Sequence, residues 1–164
     1  MKIVKRPVSL GDAELILRWR NSASARNASR FPNEITDFEH GNWFGARLSR
    51  VLLEPFWIVS ILEKEIGYVR LDRVEDMANS YMISIFIIPE FRGLGNGQRM
   101  LKEALESAIS EIPVTNFRAV IRKSNKSSIA LFQKFGFRST GDLDTDFELY
   151  QVNVDEMSED ENSF

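Results

Sequence analysis

Ile87-Ile88-Pro89-Glu90-Phe91-Arg92-Gly93-Leu94-Gly95-Asn96-Gly97 is the stretch that decides the fold. Before it runs an apolar, β-branched segment, Tyr81 to Ile88, that reads as a strand stopped by Pro89. After it, Met100, Leu101, Ala104, Leu105, Ala108 and Ile109 fall on one face of a helix. The glycines therefore sit in a strand-to-helix turn, where they permit backbone geometries that a β-carbon blocks. Successive amides turned inward make an anion nest, the helix N-terminus adds partial positive charge, and Arg92 adds a formal one. The spacing is not a dinucleotide fingerprint, because the glycines run G-x-G-x-G with no acidic residue capping a following strand. It is not a Walker loop either, because Lys and Ser or Thr are missing after the last glycine. From the residues alone, the loop is either an anion cradle or a tight connection.

Working outward, Lys2 to Val8 reads as a strand, and about Gly11 to Asn21 as a helix with Asp12 in its first turn. A polar loop runs from Ser22 to Ile35, then Thr36 or Asp37 caps a helix reaching Leu48. Phe56 to Leu62 and Ile66 to Arg73 pair as a hairpin across the charged turn Glu63, Lys64, Glu65. Beyond the long helix come a strand at Phe117 to Ile121, a helix at Asn125 to Phe135 ended by Gly136, and a last strand at Phe147 to Val154. The crossover from the Tyr81 strand through the helix to the Phe117 strand is long enough for a right-handed parallel unit. The expected fold is α/β, with a central mixed, mostly antiparallel twisted sheet, one parallel strand pair and helices on both faces. Ligands in such sheets bind beyond the carboxyl ends of parallel strands.

The chain's 164 residues suit one domain, expected over residues 1–154, and 43% apolar content with 12 Phe and 3 Trp is too high for general disorder. The absence of cysteine excludes disulfides, thiolate metal sites and thiol catalysis, and a single histidine, His40, excludes a multi-histidine metal site. No bound metal is expected. No apolar run is long enough to span a bilayer, so the expectation is a cytoplasmic protein with no membrane partner. The net charge of −3 is concentrated at the end: without the five acids Asp155, Glu156, Glu159, Asp160 and Glu161 the remainder carries +2. That near-neutral body opposes nucleic-acid binding but not a small anionic ligand. Residues 155–164 are expected to form an acidic, disordered tail.

A second motif, Asn125-Lys126-Ser127-Ser128-Ile129-Ala130-Leu131-Phe132-Gln133-Lys134-Phe135-Gly136-Phe137, follows the strand ending at Ile121. With Ile87-x-Pro89-x-x-Arg92-Gly93-Leu94-Gly95-x-Gly97, it closely resembles the GCN5-related N-acetyltransferase (GNAT) superfamily. The resemblance implies acetyl-CoA as co-substrate, its pyrophosphate against Arg92, Gly93, Leu94, Gly95, Asn96, Gly97 and Gln98. It also implies a pantetheine arm along the backbone of Ile85, Phe86 and Ile87, with the Ile87 amide polarising the thioester carbonyl. Asn125 matches the side chain that contacts pantetheine, and its alternative duty is to cap a helix. Two positions depart from the pattern. The usual proton-donating tyrosine is Phe132, within the same cofactor-binding stretch, and the acid used as a base by protein-acetylating relatives is Val120.

Leu17-Arg18-Trp19-Arg20-Asn21 with Arg26, Ile35 and Glu39-His40-x-x-Trp43-Phe44, and Gly67-Tyr68-Val69-Arg70-Leu71-Asp72 with Ile83-Ser84-Ile85, resemble the acetyltransferases of amino-sugar nucleotides, of pseudaminic acid type. That branch implies a small-molecule amine acceptor, a nucleotide-linked amino sugar, with direct transfer. Arg20, Asn21 and Arg70 would meet a diphosphate or sugar hydroxyls, the alternative for Arg20 and Arg70 being solvated surface charge; Trp43 and Phe44 would form an apolar wall or pack as core, and Asp72 would orient the amine. His40 has the one side chain with an ordinary pKa near neutrality and is a candidate base, its alternative being a packing group. Ser84 is a candidate to hold a water. The competing readings are a ribosomal-protein or peptide α-amino acetyltransferase and a non-catalytic acyl-CoA-binding module. A homodimer is left open.

Overall fold

The computed structural model describes residues 2–157. Seven strands form one sheet: β1 (Ile3–Pro7), β2 (Phe56–Ile61), β3 (Lys64–Arg73), β4 (Ser80–Ile87), β5 (Asn116–Arg122), β6 (Arg138–Asp142) and β7 (Phe147–Asn153). Their order is β1-β2-β3-β4-β5-β7-β6, and β4–β5 is the one parallel neighbour pair. The helices are α1 (Ala13–Arg20), α2 (Ala23–Ala28), α3 (Asp37–Leu48), α4 (Asn96–Glu111), α5 (Lys126–Gln133) and α6 (Val154–Met157). The mixed sheet with one parallel pair is the architecture expected from the sequence.

Strand alternation sorts the apolar side chains into two cores. On one face Val59, Ile61, Ile66, Val69, Leu71 and Ile83 meet the α4 stripe of Met100, Leu101, Ala104, Leu105 and Ala108, together with Phe132 of α5. On the other face Phe56, Ile58, Tyr68 and Phe86 meet Ile16 and Trp19 of α1 and Phe44 of α3. Truncating Leu101, which is fully buried, to Ala would cost about 2–5 kcal/mol from lost transfer energy and the cavity left behind.

Local signals set the helix ends. Thr36 accepts from the Glu39 amide at 3.3 Å while the Glu39 carboxylate accepts from the Thr36 amide at 2.9 Å, a capping box that starts α3 where expected. The first helix begins later than expected. Leu10–Asp12 is a 3-10 turn, held because the Asp12 carboxylate accepts from the Ser9 amide (2.7 Å) and from both outer nitrogens of Arg6 (2.8 Å each).

Two elements go beyond the sequence reading, a helix in a stretch expected to be loop and a strand in a stretch given no element. The Ser22 to Ile35 segment contains α2, which Ser22 caps by accepting from the Ala25 amide; none of its residues is buried, so it carries no apolar period. Residues Arg138–Asp142 form the edge strand β6, exposed throughout and therefore without alternation. At the C-terminus, residues 155–157 are not tail: α6 carries Met157 against the core, and the Val154 amide donates to Thr115 O at 3.0 Å. The remaining tail, residues 158–164, lies outside the described residues.

One glycine governs how closely β3 can approach β4. A Cβ at Gly67 would collide with the carbonyl oxygen of Phe86, a backbone atom with no freedom to yield. Gly67→Ala is expected to destabilise the fold by at least about 2 kcal/mol through overpacking, read from the urea midpoint; an unchanged midpoint would contradict this packing.

Candidate active site

The parallel pairing of β4 with β5 covers Ser80↔Asn116, Tyr81↔Phe117 and Met82↔Arg118 and then stops. Beyond Met82 the two strands diverge, while each stays paired to its other neighbour, β4 to β3 as far as Ile87 and β5 to β7 as far as Arg122. The Ile88 amide donates to Ile66 O at 2.9 Å, on the β3 side. Because successive amides of a strand point to opposite edges, the Ile85 and Ile87 amides face the opening, with no strand to receive them. The opening is a cleft of about 460 Å³, walled by Ser84, Ile85 and Phe86 on one side and by Ala119, Val120 and Ile121 on the other.

At the C-terminal end of β4, the glycine turn enters α4. Gly93 (φ +72°) and Gly95 (φ +76°) are left-handed, and a Cβ at either would meet no protein atom within 4 Å. Their requirement for glycine is thus conformational, with open space where a ligand's anionic group would approach. Gly97 differs: its Cβ would press on Leu131 Cδ2 (3.2 Å) and Ile87 Cδ1 (3.4 Å), so it lets α4 pack against α5 and β4. No side chain caps α4, and the first amide donating into the helix is Arg99 to Gly95 O (3.2 Å), which leaves those of Asn96, Gly97 and Gln98 at the helix end for a ligand. Leu94 is exposed at the tip, and Asn96 is buried with Nδ2 donating to Phe91 O at 3.0 Å. Arg92 lies at the turn, exposed and in no ion pair among the described residues. Its Nε donates to Ile87 O (2.8 Å) and its Nη2 to Ser24 Oγ (3.0 Å), so it braces the turn against β4 and α2.

Asn125 performs the capping duty, its Oδ1 accepting from the Ser128 amide at 3.2 Å, and also lines the cleft. Among the described residues its Nδ2 has no protein partner, so capping and contact with a ligand are compatible. Phe132 is buried on the cleft wall, edge-on to Phe137 at 5.0 Å.

The proposed acceptor residues separate into two groups. Arg20, Arg70 and Ser84 line the cleft. Trp43 lies behind them, its ring beneath the guanidinium groups of Arg20 (4.5 Å) and Arg70 (5.2 Å), and does not itself line the cleft. Arg70 is not a solvated surface charge, since its Nε donates to Asp72 Oδ2 at 2.7 Å. Asp72 in turn accepts from Nε of the buried Arg47 at 3.0 Å, so both oxygens are committed and its duty is to neutralise two arginines rather than to orient an amine. Asn21 clamps the backbone of Ile35, donating to its oxygen at 2.8 Å and accepting from its amide at 2.9 Å, which fixes the loop after α2 but removes Asn21 from acceptor contact. His40 is buried between α3 and α1, with Nε2 against Ala13 O at 2.7 Å and its ring 5.3 Å from Phe44. Burial lowers its pKa, and it does not reach the cleft, so it packs rather than acting as a base.

Sequence reasoning assigned no duty to Tyr68, Arg30, Phe31, Arg122 and Phe147, all on the cleft wall. Tyr68 and Phe147 look like core residues in strands, and the two arginines look like surface charge. Nothing local to them marks the cleft that tertiary structure makes.

The family model described as acetyltransferase (GNAT) domain matches residues 2–138, so the chain belongs to that family. It is an acetyl-CoA-dependent N-acetyltransferase. Among curated proteins it is similar to the acetyltransferase PseH of Campylobacter jejuni, 26% identical over 136 residues that span 83% of this chain and 82% of that protein. Two solved structures share the fold. One is the spermidine N-acetyltransferase of Vibrio cholerae in complex with CoA and spermine (TM-score 0.82, 17% identity, 94% of this chain and 97% of that one). The other is yncA of Salmonella typhimurium with acetyl-CoA (TM-score 0.77, 18% identity, 94% and 95%). The residues fit that co-substrate: free helix-end amides at a left-handed glycine turn for its phosphates, and unpaired β4 amides with Asn125 for its amide-bearing arm. No cluster of potential metal ligands exists among the described residues, and no described helix is long and apolar enough to cross a membrane.

Gly95→Val tests the turn. A β-branched side chain at φ +76° carries strain of about 1–3 kcal/mol, relieved by turning the amides away from the ligand. Calorimetry should show acetyl-CoA binding weakened about tenfold or more in a folded variant, whereas unchanged affinity would place the phosphates elsewhere.

Proposed function

We propose that the chain transfers acetyl from acetyl-CoA directly to the amine of a nucleotide-linked amino sugar. The observation that carries this reading is the charge of the cleft: its ionic lining is Arg20, Arg30, Arg70 and Arg122, with no carboxylate or lysine among the described residues. Arg30 is paired with Asp144 at 3.0 Å, Arg70 with Asp72, and Arg122 loosely with Asp146 at 3.9 Å. Arg20 has no ion pair or hydrogen bond among the described residues, and burial lowers its pKa. A half-buried guanidinium that stays charged without a counter-ion favours an anionic ligand. A polyamine or a cationic peptide terminus would be repelled by this wall.

The chemistry is compatible with the same acceptor. An amine on a sugar ring, beside electron-withdrawing oxygens, is less basic than lysine, so a useful fraction is neutral near pH 7 and no strong base is required. This agrees with Val120 and with the withdrawal of His40 from the cleft. The Ile87 amide, free of strand pairing, is the donor for the carbonyl oxygen as negative charge develops on it. Acetyl-CoA supplies the activated acyl group. The resemblance of the Arg20 and Arg70 segments to amino-sugar-nucleotide acetyltransferases, and the similarity to PseH, support this branch. A cytoplasmic location follows from the acceptor proposed.

Arg20→Ala should raise KM for a nucleotide-linked amino sugar about tenfold or more, the worth of one charge-assisted hydrogen bond, and leave KM for acetyl-CoA within about twofold. Mass analysis of products from a panel of sugar nucleotides, polyamines and peptides identifies the acceptor class. Efficient acetylation of spermidine or a peptide terminus, with none of any nucleotide sugar, would overturn the reading.

A further inference from the structure

Acetyl transfer requires a proton for the departing sulfur, and neither motif position associated with acid–base work can supply it here: Phe132 has no acidic proton and Val120 no ionisable group. A donor supplied by the protein has to come from elsewhere on the cleft wall. Guanidinium groups hold their protons at any working pH, and the serine hydroxyls at Ser29, Ser84 and Ser128 are far weaker acids than a thiol. One phenol lines the cleft, that of Tyr68.

We propose that Tyr68 is the general acid that protonates the leaving thiolate. Tyr68 lies on β3 directly opposite Phe86 of β4, one strand spacing of about 4.8 Å from the residues whose free edge opens on the cleft. Its ring is held on three sides, stacked on Phe86 at 5.6 Å and tilted or edge-on to Trp19 (6.2 Å) and Phe56 (5.5 Å). The residue is only 9% exposed, yet its hydroxyl makes no hydrogen bond with any described residue. A hydroxyl without a protein partner, reaching the accessible wall of a cleft that must take a substrate while its ring stays buried, is suited to a partner that arrives with that substrate.

The charges facing it are Arg20 from α1 and Arg70 and Asp72 from its own strand, and no carboxylate lines the cleft. Burial raises its pKa above the ordinary phenol value, against the smaller opposing effect of the two arginines, so the group is protonated at neutral pH. As the carbon–sulfur bond breaks and the carbon–nitrogen bond forms, sulfur takes the phenolic proton. The nitrogen, which carries a surplus proton after attack, releases it to restore the phenol, and the chain ends the cycle unchanged. This inference concerns acetyl transfer itself and not the identity of the acceptor, so it can fail while the sugar reading stands, and the reverse.

Tyr68→Phe in the full chain keeps the ring contacts and removes only the proton. With any amine the unaltered protein acetylates, kcat should fall about 100-fold while both KM values stay within about twofold. Calorimetric affinity for acetyl-CoA should be unchanged, and ultraviolet titration of the free protein should lose one of its three phenols, one that ionises above the ordinary range. Replacing the tyrosines by fluorotyrosine preserves the fold by a second route and makes the phenol more acidic, so kcat should acquire an alkaline limb at lower pH that Tyr68→Phe lacks. Unchanged kcat in a folded Tyr68→Phe protein, a loss confined to KM for the amine, or a fluorinated enzyme with an unmoved pH profile would each overturn the assignment.

Discussion

The site depends on a sheet that is left unfinished. Three residue pairs join β4 to β5, and past Met82 and Arg118 the two strands part. On either side of this joint lie long antiparallel ladders, seven pairs between β3 and β4 and seven between β5 and β7, which keep each half rigid as the middle opens. A parallel pair is slightly less stable per residue than an antiparallel one, so the joint is the least costly place to leave backbone groups without partners. The halves remain one body because the α4 stripe packs under strands of both, and because Arg122 reaches Ser29 O at 3.2 Å and Arg30 reaches Asp144 at 3.0 Å across the opposite face.

Everything with chemical consequence is arranged around that opening. Its edge offers the Ile85 and Ile87 amides. At its far end, the glycine turn presents unpaired helix amides, and Arg92 links this turn through Ile87 O and Ser24 Oγ to the helix that borders the acceptor side. The two faces divide the labour. Ile85, Ile87, Asn125 and Phe132 belong with α4 and α5, whereas Tyr68, Arg70, Ser84 and Phe86 lie on the face covered by α1 and α3. An acyl donor and an amine can therefore approach from opposite faces and meet at the unpaired edge of β4, which suits direct transfer.

What the sequence made legible was local. The change of period across Gly93 to Gly97, the Thr36 capping box and the Asn125 cap all act within a few residues, and each stands where it was expected. What it concealed is made by long-range contact. Asp72 looked available to a substrate until Arg47, 25 residues away, took one of its oxygens. His40 looked titratable in solvent until it was buried beneath Ala13 O, 27 residues away. Tyr68 was hidden in the opposite way: an aromatic residue in a strand reads as core, and only the splay of the neighbouring strands brings its hydroxyl to a cleft.

The most direct test of the splayed joint is amide hydrogen exchange resolved by NMR, residue by residue, with and without acetyl-CoA. The amides of Ile85 and Ile87, and those of Asn96 to Gln98 at the start of α4, should exchange readily in the free protein and slow at least about tenfold on binding. The Ile88 amide, already bonded to Ile66 O at 2.9 Å, should be slow in both states. Exchange at Ile85 and Ile87 that is slow before binding, or unaltered by it, would contradict the claim that the unfinished edge of β4 is where the acyl donor is held.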